Sequence, residues 1–168
     1  MQPPLLPVET LHRLLRLARL DGTVVLALAS AFAIASALGG NGLEVLIGVL
    51  IAGAGALELH GAGLLRTGEV RGISWLVASQ VYLLTAVLGY VTLRLISFDP
   101  SLINLIMTDA LRQRYLEAGL THAQIDQVVE WSYYLTYAIV GVVTLFYQGG
   151  MALFYFRRRD AVAKALED

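Results

Sequence analysis

A chain of 168 residues that is 57% hydrophobic and only 15% charged is too apolar for an ordinary soluble domain, whose apolar share is roughly 45 to 50%. Its net charge of −1 offers no basic footprint for a nucleic-acid partner. With no cysteine, disulfides, thiolate metal sites and cysteine nucleophiles are excluded. The composition predicts a single all-α integral membrane domain over residues 1–168.

Four apolar segments, at about 23–39, 43–65, 73–96 and 132–156, approach or exceed the ~20 residues a helix needs to cross ~30 Å of hydrocarbon. The expected fold is a four-helix transmembrane bundle. Ahead of it, residues 1–7 hold three of the four prolines and read as a loose leader. From Val8 the chain changes character: Arg13, Arg16 and Arg19 recur every three residues opposite Leu11, Leu14, Leu15 and Ala18. That pattern predicts an N-terminal amphipathic helix on an anionic membrane surface, or else a positive flank that orients the next helix.

Asp21-Gly22 is expected to break this helix before the first span. Ala35-Ser36-Ala37 resembles a signal-peptide cleavage site, but the long, partly acidic leader argues for a retained span. Alanines 27, 31 and 35, and 29, 33 and 37, give that span smooth sides for close helix packing. The short Gly39-Gly40-Asn41-Gly42 turn requires an antiparallel second span. The third begins near Trp75 and ends near Tyr90 and Arg94, residues suited to the two interfaces.

Residues 97–131 form the one long connection, read as an extracytoplasmic helical hairpin. Asp99-Pro100 offers a start for the first helix and Gly119 a stop, while Thr121 and Gln124 form a capping box for a helix that can run into the fourth span. The fourth span is bracketed by Trp131, Tyr133, Tyr134 and Tyr137 at one end and Phe154, Tyr155 and Phe156 at the other.

Placing the leader, the 66–71 loop and the tail on one side gathers nine of the twelve basic residues there and leaves that side at +3 against −3 on the other. By the positive-inside tendency both termini are expected to be cytoplasmic, in a plasma or inner membrane.

Glu58 lies deep inside the 43–65 run, whereas Glu44 stands at its edge, and burying a carboxyl in hydrocarbon costs at least a few kcal/mol. Counted in from the charged flanks, Ser30, Glu58, Gln80 and Gln148 all fall about 12 to 14 Å deep, predicting an intramembrane polar layer. Tyr137 and Thr144 share a face with Gln148 and extend a polar path. His60 points about 200° away from Glu58 and is assigned to an interface or ligand contact, so the two cannot share a metal ion. No second intramembrane histidine offers a haem ligand, and there is no phosphate loop, zinc-helix motif or nucleophile elbow. Neither a cofactor nor a metal is expected.

Two functional readings follow. The first is a non-enzymatic membrane protein that acts by association, as a homo-oligomer or with a membrane-protein partner, within the lipid bilayer and without nucleic acid. The alternative is a proton- or cation-coupled channel or transporter component using Glu58. An enzyme ranks third, because no nucleophile and base share a face.

Overall fold

The computed structural model describes residues 7–99, 103 and 107–167 and is all-helical, with no strand among them. Its helices are α1, Pro7–Leu38; α2, Gly42–Arg66; α3, Gly72–Ile96; α4, Asp109–Glu117; and α5, His122–Glu167. All but α4 are long and apolar enough to cross a membrane. The chain divides into two compact units, Met1–Leu88 with Thr144–Asp168, and Gly89–Val143.

Three connections owe their shape to glycine. Gly40, Gly68 and Gly119 have φ of +74°, +86° and +88°, where a side chain would be strained. Each helix end shows the paired backbone bonds that such a residue allows, for example Asn41 N–H to Ser36 O at 3.0 Å with Gly40 N–H to Ala37 O at 3.1 Å. The last carbonyls of α1, α2 and α4 are thus satisfied within the turn.

In the first unit, α1 is continuous through Asp21-Gly22, where the sequence predicts a break. Its buried positions explain why. Thr10, Leu14, Ala18, Asp21, Ala29, Ala33 and Ser36 follow one another at helical spacing along a single stripe. Glycine costs roughly 1 kcal/mol in a helix interior, but here it allows two backbones to meet. A Cβ on Gly55 would stand 2.7 Å from the Gly22 carbonyl oxygen and from the Leu26 nitrogen. On the other side of α2, a Cβ on Gly61 would stand 2.9 Å from the Gly72 carbonyl. The small-residue face of α2 is therefore consumed by packing within the chain.

The predicted leader helix is the opening of α1, and its apolar face is not free to lie on a bilayer. Leu14 and Ala18 are completely buried with Ala62, Leu65, Ile73, Leu76, Met151, Tyr155 and Val162. Since Tyr147 bonds Asp21 and Val162 shares a core with Leu14, α5 runs antiparallel to α1.

In the second unit the connection 97–131 holds α4 and the start of α5. The helix expected from residue 101 onwards does not run unbroken: Met107 is a bend, and Thr108 caps a fresh start by accepting the Leu111 N–H at 3.4 Å. The expected start at Pro100 lies outside the described residues. The capping box forms as read, with Thr121 N–H donating to Gln124 Oε1 at 2.9 Å and Gln124 N–H to Thr121 Oγ1 at 3.3 Å. A small core of Met107, Ile125 and Val129, flanked by Ile103, Leu116 and Leu120, holds this unit together. From Thr121 the helix continues for 46 residues.

Candidate functional site

Inside the first unit the fold collects acidic and amide side chains that apolar helices would otherwise exclude. Glu58 and Gln80 are each 1% exposed, Gln148 is 7% and Asp21 is 8%. Glu58 sits between the packing residues Gly55 and Gly61 on α2, so the face that must meet other helices carries the carboxyl inward. The same reasoning applies to Asp21, one residue before the Gly22 contact on α1.

The polar groups are joined across four helices. Tyr155 on α5 donates its hydroxyl to Glu58 Oε1 at 2.6 Å. Tyr147, two turns earlier on α5, donates to Asp21 Oδ1 at 2.9 Å. Gln80 on α3 donates from Nε2 to Asp21 Oδ2 at 3.2 Å. The Asp21 and Gln80 side chains both lie within reach of Glu58. Ser79, beside Gln80, returns its hydroxyl to the Leu76 carbonyl and is spent locally.

This cluster is rich in acceptors and poor in donors. Two carboxyls share one buried region, yet the buried polar and charged residues include no lysine, arginine or histidine among those described. The Oε1 atoms of Gln80 and Gln148 are buried without a hydrogen-bond partner. Two negative charges in a low-dielectric interior need a compensating positive charge, and the oxygens present suit a proton or a small hard cation. Among the described residues no three His, Cys, Asp or Glu side chains converge as a multidentate metal site would require.

The expected layer of Ser30, Glu58, Gln80 and Gln148 is rearranged. Glu58 and Gln80 are brought together, and Gln148 is buried in the same unit. Ser30 is half-buried and lies nine residues, or about 14 Å, further along α1 than Asp21, which takes its place. Asp21 is a buried residue of α1 and not a flank at which a span begins. Asp21, Tyr147 and Tyr155 are members that the sequence does not assign to the layer, Tyr155 being read there only as part of the aromatic bracket of the fourth span. Asp21 carries a usable signal, since it follows Leu14 by seven residues and Ala18 by three on one helical face. Tyr147 carries none beyond its position in an apolar helix.

The remaining candidates stand apart. His60 is exposed and meets the edge of Trp75 at 5.2 Å between ring centroids. Thr144 is half-buried in the first unit. Tyr137 belongs to the second unit, in an aromatic group with Tyr90, Phe98, Tyr133 and Tyr134. There Tyr133 donates to the Arg94 carbonyl at 2.9 Å, and Arg94 Nε donates to the Tyr90 hydroxyl at 3.0 Å. Tyr137 is thus engaged with its neighbours in that unit.

Comparison with protein-family models, curated proteins and solved structures finds no match.

Proposed function

We propose that this is a non-enzymatic membrane protein that binds a proton or a monovalent cation at the Asp21–Glu58 pair and acts as a proton- or cation-coupled conduit or transporter component. The observation that carries this reading is the second buried carboxyl. One carboxyl with a tyrosine donor can serve as a register-fixing hydrogen bond, but a second acid beside it, with no buried base among the described residues, creates a charge that only a bound cation or proton can offset. The tyrosines and Gln80 supply fixed dipoles around that charge, as intramembrane ion sites require.

The four long apolar helices and the gathering of Arg13, Arg16 and Arg158 around one groove, and of Arg16, Arg19 and Arg66 around another, support reading this end of the unit as the cytoplasmic one. With Asp21 drawn into the interior, that side carries +4 rather than +3.

The test is flux in proteoliposomes of the full chain, with an imposed pH gradient and, separately, sodium or potassium gradients. Flux above empty liposomes is expected from the wild type. Asp21→Asn and Glu58→Gln, which keep side-chain shape and remove the titratable charge, are expected to abolish it while the helices stay folded. Folded wild-type protein without flux in any of the gradients would overturn the conduit reading.

The second reading is association with copies of the chain or with a membrane-protein partner. It is favoured by Gly149 and Gly150 in the last span, whose Cβ positions meet nothing within 4 Å. A mass determination in detergent tests it, and a monomer at all accessible concentrations would count against self-association.

A further inference from the structure

At one end of the first unit, α1 and α5 border a groove of about 400 Å³ lined by Thr10, Arg13, Arg16, Leu17, Leu20, Phe154 and Arg158. Its size falls within the roughly 300–1,000 Å³ of small-ligand sites. The lining is sorted by chemistry. Along α1 the basic residues come first and the apolar ones, Leu17 and Leu20, follow toward Asp21; along antiparallel α5, Phe154 precedes Arg158. Both walls therefore run from cationic to apolar in the same direction, toward the membrane-spanning part of the helices.

The three guanidiniums are in no ion pair among the described residues, although Glu9 borders the same surface as Arg13 and Arg16. Glu9 is exposed one turn before Arg13, and Asp160 is engaged by Arg159 at 3.3 Å. Arg158 lies over the Phe154 ring, 5.5 Å from its centroid, which orients the guanidinium along the groove wall. Leu20 remains 66% exposed although it is apolar.

We propose that this groove binds one anionic phospholipid, with Arg13, Arg16 and Arg158 on its phosphate headgroup and Leu17, Leu20 and Phe154 against the upper part of an acyl chain. Charge complementarity selects the occupant: a headgroup phosphate matches a cluster of arginines, and only an amphipathic anion also matches the apolar end. The site differs from a helix lying on the surface, because the apolar face of the leader is already buried at Leu14 and Ala18. It is independent of the Asp21–Glu58 reading.

The test is native mass spectrometry of the full chain in detergent, with equal amounts of phosphatidylglycerol and phosphatidylcholine. The wild type is expected to retain one phosphatidylglycerol in preference. Each guanidinium near an anionic headgroup is worth about 1 kcal/mol, or about fivefold, so a variant combining Arg13→Gln, Arg16→Gln and Arg158→Gln should lose on the order of a hundredfold in affinity. A charge-matched control combining Arg157→Gln, Arg159→Gln and Lys164→Gln should keep the preference, with circular dichroism verifying the fold of both. Glycerol 3-phosphate at the same concentration should not displace the lipid, since it lacks the chain. Equal retention of the two lipids, equal loss in the control, or displacement by glycerol 3-phosphate would each overturn the proposal.

Discussion

The Tyr155 hydroxyl meets the Glu58 carboxyl at 2.6 Å across 97 residues of sequence, tying the last helix to the second at a buried point. Tyr155 is itself fully buried in the core of the first unit, so this bond has no water to replace it. Tyr155→Phe keeps the ring and removes only the donor. It is expected to cost about 1 to 3 kcal/mol, read as a lower midpoint of thermal unfolding in detergent, whereas Tyr82→Phe on the exposed face of α3 should change little.

Asp21 accepts from both Tyr147 and Gln80, and an aliphatic replacement would strand both donors. Asp21→Leu should therefore destabilise by a few kcal/mol, and Asp21→Asn, which keeps one acceptor oxygen, by distinctly less. Equal stability of the two variants would show that these hydrogen bonds do not hold α1 in place.

Gly55 and Gly63 lie two turns apart on α2 in opposite circumstances. A Cβ on Gly55 meets backbone at 2.7 Å, and one on Gly63 meets nothing within 4 Å. Gly55→Ala is expected to cost about 1 to 3 kcal/mol through forced separation of α1 and α2. Gly63→Ala should be neutral or stabilising by up to about 1 kcal/mol, because alanine favours the helix. Paired unfolding curves check the contrast.

In the second unit, Thr121→Ala removes the hydroxyl that receives the Gln124 N–H. The expected loss is about 0.5 to 2 kcal/mol, and it should be local. Hydrogen exchange should quicken at residues 122–125 while the amides around Glu58 keep their protection.

Sidedness is tested by labelling. Single cysteines at Thr67 and Ala165 are expected to stay protected from an impermeant reagent in intact cells, while one at Thr121 reacts. Labelling of the Thr67 position from outside would reverse the orientation.

What the sequence by itself determined is what short-range physics governs. Apolar runs of spanning length mark all four long helices, because hydrocarbon demands about 20 residues whatever the neighbours are. Gly119 and the Thr121–Gln124 box are legible for the same reason: a left-handed turn and a reciprocal cap need only residues a few positions apart. The burial of Glu58 and Gln80 also follows from their placement within apolar helices.

The tertiary structure alone decided the register between helices, and with it the membership of the site. Asp21-Gly22 looks like a helix break until Gly22 is seen against Gly55, a contact across 33 positions that no periodicity encodes. That contact slides α1 so that Asp21, and not Ser30, stands level with Glu58. The same long-range packing gives Tyr155 and Tyr147 to the carboxyls and Tyr137 to the aromatic group of the second unit, although all three lie on one helix. Hydropathy reports how far a residue is from water, but which side chain it meets there depends on where two backbones can approach, and that is set by the small residues on both helices at once.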